Sequence, residues 1–161
     1  MLSVKGSLRR HLTWWRDNIK NKSIVDIVEH GYTLPLLEIP VETFLKNNKS
    51  AYDNADFVTK EIQRLVGLGI LKEVQDPPTV VNALTVAVNA SGKQRLVLDL
   101  RTINPTLKVQ QFKYEDINTA SHYFKHGSMM ATFDLKSGYH HVDIHDAYTQ
   151  YLGLCLHFVT S

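Results

Sequence analysis

Two runs of alternating apolar and polar residues, 83–89 and 93–100, flank Asn89-Ala90-Ser91-Gly92, and this pairing constrains the fold more than any other part of the chain. Alternation sends successive side chains to opposite faces of a strand, and a corner ending in glycine lets the chain reverse. The prediction is an antiparallel hairpin. In its second strand Lys93, Arg95, Val97 and Asp99 share one face, and Gln94, Leu96, Leu98 and Leu100 share the other. The leucine face turns inward, which leaves two cations pointing outward together.

Helical spacing surrounds this hairpin. Leu8, Leu12, Trp15 and Ile19 recur along one helix face, so Trp14 and Trp15 read as one packing residue and its neighbour, not a stacking platform. Ser23 followed by Asp26 opens a second helix, Ile24, Ile27 and Val28 give its buried face, and His30-Gly31 stops it. Pro35 and Pro40 hold their predecessors out of helical space, so 32–40 runs extended. A longer helix is expected over 51–68, with Val58, Ile62, Leu65 and Val66 inward and Gly67 and Gly69 at its end.

A short strand is expected over 70–74 before Asp76-Pro77-Pro78, then a helix over 115–124 with acids at its start and Gly127 beyond its end. A short buried strand follows over 129–133, and a strictly alternating one over 151–159. A strand as apolar as the last ordinarily pairs on both sides, so the chain is expected to be cut short after Ser161.

A length of 161 residues suits one domain with a real core. Hydrophobic residues at 43% and charged residues at 21% are ordinary for a globular chain, and no apolar run approaches membrane-spanning length, so no membrane partner is expected. The first twenty residues hold no apolar core of a secretory signal. A single cysteine, Cys155, excludes an intrachain disulfide and fits a reducing compartment. The net charge of +2 advertises no polyanionic partner, yet residues 1–22 carry Lys5, Arg9, Arg10, Arg16, Lys20 and Lys22 against Asp17 alone. Such a stretch either lies along a phosphate backbone or forms the solvated face of a helix, and the charge pattern leaves both open.

Asp134 sits between Phe133 and Leu135, just ahead of Lys136-Ser137-Gly138 and the aromatic Tyr139. An acid leaving a buried strand at a forced turn is how a chain presents a carboxylate to a hard divalent cation such as Mg²⁺. The same acid also caps a turn through its own backbone, so two readings stand. His140, His141, Asp143, His145 and Asp146 are dense in ligand types and raise a metal-dependent hydrolase. Along a strand His140 faces away from His141, Asp143 and His145, and no second cluster completes a tetrahedral site. A polar, partly exposed face is the expectation for them.

Taken together, the strand Lys93-Gln94-Arg95-Leu96-Val97-Leu98-Asp99-Leu100-Arg101, then Asn104, then Phe133-Asp134-Leu135-Lys136-Ser137-Gly138-Tyr139-His140-His141 resembles a reverse transcriptase in order and spacing. Upstream, Glu61-Ile62 with Gly67 and Gly69-Ile70-Leu71 is similar to the helix and strand that open the fingers of retrotransposon polymerases. Gly31-Tyr32-Thr33-Leu34-Pro35 and the paired tryptophans look most like the tyrosine-recombinase (DIRS-type) branch, with the gypsy class close. The resemblance covers nearly the whole chain from about Leu8.

The resemblance implies an α+β fold: N-terminal helices, a fingers β-hairpin and part of the palm sheet of a right-hand polymerase. Residues 1–50 would be a basic helical and extended segment, and 51–161 a partial reverse transcriptase domain. It implies that Asp134 is the first metal-binding aspartate and that the Leu135 carbonyl reaches the second of two Mg²⁺ ions, which activate a primer 3′-hydroxyl and stabilise the leaving pyrophosphate. Tyr139 would lie beneath the incoming sugar. Arg95 and Lys93 would hold the triphosphate, Arg through bidentate contacts and Lys as a point charge. Asp99 and Arg101 would be template-side or structural. Partners would be an RNA or DNA template-primer, deoxynucleotides and the remainder of the polymerase, in nucleus or cytoplasm.

The residues also carry blander roles: Tyr139 packing over the turn, Arg95 a surface charge, Asp99 and Arg101 a local ion pair. The departure from the family is that its downstream Tyr-x-Asp-Asp segment has no counterpart, since the sequence contains no Asp-Asp pair. One carboxylate does not clamp two metals, so the chain alone is expected not to polymerise. A non-catalytic nucleic-acid-binding module derived from a retroelement is the alternative.

Overall fold

Every strand pairing in the sheet passes through one segment, β2 (Val80–Val88), in a computed structural model that describes residues 3–109, 114–135 and 137–156. Its first residues pair in parallel with β1 (Thr43–Phe44) and with the short β4 (Gly153–Leu154), and the rest pairs antiparallel with β3 (Gln94–Asp99). A parallel pair needs a crossover. Helices α3 (Lys49–Asp53) and α4 (Ala55–Gly67) supply it between β1 and β2. Two N-terminal helices, α1 (Leu12–Asn18) and α2 (Lys22–His30), precede the sheet, and α5 (Ile117–Ser121) and α6 (Asp146–Thr149) follow it. Of the described residues, 36% are helical and 15% strand, a mixture that fits the α+β class. No helix among the described residues is long and apolar enough to cross a membrane.

The hairpin forms in the expected register, with Ala83 opposite Asp99 and Val88 opposite Gln94. The Asn89 side chain shapes its turn: Oδ1 accepts from the Ser91 and Lys93 amides at 3.1 and 2.8 Å. Leu96 and Leu98 pack against a core of Ala51, Val58, Ile62, Leu84 and Val86. Val58 and Ile62 stand one turn apart, so α4 lays its apolar stripe on the sheet. A second cluster joins Val80, Ile103 and Tyr151.

Between Leu84 and Val86 the segment 47–50 does what a neighbouring strand would do, through two side chains and one backbone amide. Asn47 Oδ1 accepts from the Leu84 amide at 2.9 Å, the Asn48 amide donates to the Leu84 carbonyl at 2.9 Å, and Ser50 Oγ accepts from the Val86 amide at 3.1 Å. Buried backbone groups need partners, and these let β1 end early.

Four sequence expectations change. The helix expected over 51–68 is two helices, broken at Asn54 (φ −123°, ψ 35°), whose side chain donates to the Ser50 carbonyl and accepts from Gln94 on β3. The segment 70–74 forms no strand, and Val74 is exposed. The helix expected over 115–124 contracts to α5, capped by Asp116 Oδ1 on the Thr119 amide at 2.8 Å. The strand expected over 151–159 is reduced to β4 within the described residues, and 157–159 lie outside them. Helix α2 matches its expected end, with Gly31 at φ +92°, although Asn21 supplies the cap in place of Ser23. The extended run over 32–40 is irregular, with bridges from Tyr32 to Ile144 and from Leu36 to Leu107.

Candidate functional site

Period two in β3 decides where the cations go. Gln94, Leu96 and Leu98 are partly buried, whereas Lys93, Arg95 and Val97 are exposed. Lys93 and Arg95 make no ion pair among the described residues. The Asn89 turn fixes the backbone at Lys93, so the two side chains leave a defined ladder as free positive charges.

At the other end of β3 the geometry is closed. Arg101 Nη2 donates to Asp99 Oδ2 at 2.5 Å and Nε to Oδ1 at 2.9 Å, and the Arg101 amide also reaches Oδ1 at 3.2 Å. Asn48 Nδ2 touches the same carboxylate at 3.3 Å and donates to Thr85 Oγ1 at 2.6 Å. The Arg101 guanidinium, helped by the Arg101 amide, holds the Asp99 carboxyl well below the usual carboxylate range. This end therefore works as a local ion pair that ties β3 to the start of α3. Asn48 is the residue the sequence reading missed here, and the Asn47-Asn48 pair ahead of a helix was the signal.

Asp134 lies elsewhere in character. The buried strand expected over 129–133 does not form: residues 129–135 have no helix or strand, and Met129, Phe133 and Leu135 are exposed. A strand has no hydrogen bonds of its own, and no strand lies beside this segment among the described residues. Of the turn expected over Lys136-Ser137-Gly138, Lys136 lies outside the described residues; Ser137 is left-handed at φ 57°, and a 3₁₀ turn over Gly138–His141 follows, from which Tyr139 projects 97% exposed. Among the described residues no hydrogen bond or ion pair joins Asp134, Leu135 or Tyr139 to Lys93, Arg95, Asp99 or Arg101.

No group of three or more His, Cys, Asp or Glu side chains among the described residues could hold a metal. Asp134 offers one exposed carboxylate, which does not fit a two-ion centre. The histidine segment is engaged by the N-terminal arm and by its own backbone. His141 Nδ1 meets Ser7 Oγ at 3.0 Å, Asp143 meets Arg9 at 3.5 Å, and His145 Nδ1 accepts from the Ala147 amide at 3.3 Å to cap α6. Two cations of the N-terminal run are paired as well, Arg9 in this way and Arg16 with Glu29 at 2.5 Å, while Trp14 stays 54% exposed against the edge of Trp15.

Compared with protein-family models, curated proteins and solved structures, the chain matches none of them.

Proposed function

We propose that the chain is a reverse transcriptase-like polymerase piece from a retroelement, carrying the fingers hairpin and the first palm segment, and that by itself it does not extend a primer. The reading rests on one observation above the others: Lys93 and Arg95 project unpaired from the outer face of a hairpin whose inner face is buried. Two unneutralised cations on a fixed ladder suit a triphosphate or a nucleic-acid backbone. The residue order from Lys93 through Arg101 to Asp134 and Tyr139 adds the resemblance. Within it, Lys93 and Arg95 hold phosphate, Tyr139 lies under the sugar, Asp134 and the Leu135 carbonyl face metal, and Asp99 with Arg101 is template-side or structural.

The exposed carboxylate of Asp134, which belongs to no metal-holding group among the described residues, favours a second reading, a retroelement-derived module that binds nucleic acid without catalysis. Reading the transcript in frame beyond the Ser161 codon separates the two. A Tyr-x-Asp-Asp segment within about a hundred residues, the scale of one further domain, supports the polymerase. A stop codon directly after Ser161 sinks it in favour of the binding module.

A further inference from the structure

The N-terminal arm bonds to two places distant in sequence. Ser3 Oγ donates to the Leu68 carbonyl and Lys5 Nζ to the Gly69 carbonyl, each at 2.6 Å, at the end of α4. Beyond Gly6, which turns at φ +69°, Ser7 and Arg9 reach His141 and Asp143. The far side of that same segment is held too: the Tyr32 amide donates to the Asp143 carbonyl at 2.7 Å and the His145 amide to the Tyr32 carbonyl at 3.1 Å. The His140 amide closes the start of the 138–141 turn on the Ser137 carbonyl at 2.9 Å, and the bonds from the arm and from Tyr32 anchor the turn's far end to the rest of the fold.

We propose that Ser7 and Arg9 are positioning residues of a strap, residues 3–9, that fixes the Ser137–His141 turn between the end of α4 and the Gly31-Tyr32 corner. The strap acts on the turn through His141 and Asp143, whose sequence separation from the arm makes the closure costly unless several bonds share it. The side chain of Asp143 is 20% exposed and its carbonyl is already bonded, so Arg9 meets an acid held in place. The strap holds whether or not Asp134 binds a metal, and it goes beyond the polymerase reading.

Amide hydrogen exchange on the purified chain tests it, because exchange separates local opening from global unfolding. In Arg9→Asp and in the milder Ser7→Ala, the amides of Tyr32, His140 and His145 should exchange about two- to tenfold faster, a range set by the modest worth of partly exposed bonds. Hairpin amides in β2 and β3 should keep wild-type rates. Arg9→Lys, and the swap Arg9→Asp with Asp143→Arg, should restore most of the protection. Unchanged exchange at Tyr32 and His145 in both single variants overturns the strap. So does hairpin exchange that accelerates by the same factor, since the arm would then stabilise only the whole. A swap that leaves the turn as open as Arg9→Asp overturns the role of the ion pair.

Discussion

Arg101 grips Asp99 from two residues along the chain, with Nη2 2.5 Å from Oδ2 and Nε 2.9 Å from Oδ1, at the point where β3 leaves the sheet. The carboxylate is 15% exposed and the guanidinium 83%, so the acid is the fixed partner and the cation folds over it from solvent. Of the two roles the resemblance leaves to these residues, template-side or structural, the pairing suits the structural one.

A pH dependence follows from this pair. Arg101 holds the Asp99 carboxyl below its ordinary range, so the folded state binds fewer protons than the unfolded one. The stabilisation is complete above the unfolded pKa of about 3.9 and is lost as pH falls below it towards the folded value. Glu61, lowered by Arg64, and Asp116, lowered by the Thr119 amide, act in the same direction. Asp99→Asn should melt below wild type at about pH 6, and the gap should narrow progressively as pH falls below about 4, where wild type begins to lose the same stabilisation. Thermal melts across that range check it. A gap independent of pH would show that the ion pair contributes nothing through its charge.

Asn47 offers a test of the sheet's unusual edge. Its Oδ1 serves the Leu84 amide and its Nδ2 donates to the Cys155 carbonyl at 3.0 Å, inside a residue only 9% exposed. Asn47→Ala strands a buried amide beside the core, a change that costs about 1–3 kcal/mol. Urea unfolding should show a lower midpoint by that amount with an unchanged slope. A loss below about 0.5 kcal/mol would mean that solvent reaches the Leu84 amide.

Two glycines with similar backbone sign should respond differently to alanine. At Gly31 (φ +92°) a Cβ would lie 2.7 Å from the His145 nitrogen and 2.8 Å from the Ile144 carbonyl carbon, whereas at Gly92 (φ +78°) it meets open space. Gly92→Ala should cost only the left-handed penalty, about 1–2 kcal/mol. Gly31→Ala adds a backbone collision and should cost about 2–4 kcal/mol. Equal losses in chemical denaturation would contradict the close approach of 31 to 144–145.

These residues mark what the sequence could and could not convey. The β2–β3 hairpin was legible because alternation and its turn are local properties, and Gly31 because a left-handed stop follows a visible helix stripe. The break at Asn54 was hidden because one of the bonds that hold its side chain, Gln94 Nε2 donating to Asn54 Oδ1, comes from forty residues away. The segment 129–133 reads as a strand by composition, yet a strand exists only against a neighbour, and none lies beside it among the described residues. Ser7 and Arg9 looked like part of a basic run. Only the fold shows which of those charges are answered.

Lys93 and Arg95 are the charges left unanswered on the hairpin, and they carry the last prediction. If they face phosphate, binding of a single-stranded RNA or DNA oligonucleotide should weaken as salt rises, and each change to alanine should reduce the salt slope by about one. Arg101→Ala should change that slope less, because its guanidinium is occupied by Asp99. Asp134→Ala should leave binding unaltered, since no bond among the described residues connects it to the hairpin cations. Primer extension by the same protein with Mg²⁺ should be undetectable, because one carboxylate cannot hold two ions. Extension that disappears with Asp134→Ala would reverse the last point and make this chain a catalyst. Binding insensitive to Lys93 and Arg95 would instead remove the phosphate role from the hairpin, and with it the main support for a polymerase origin.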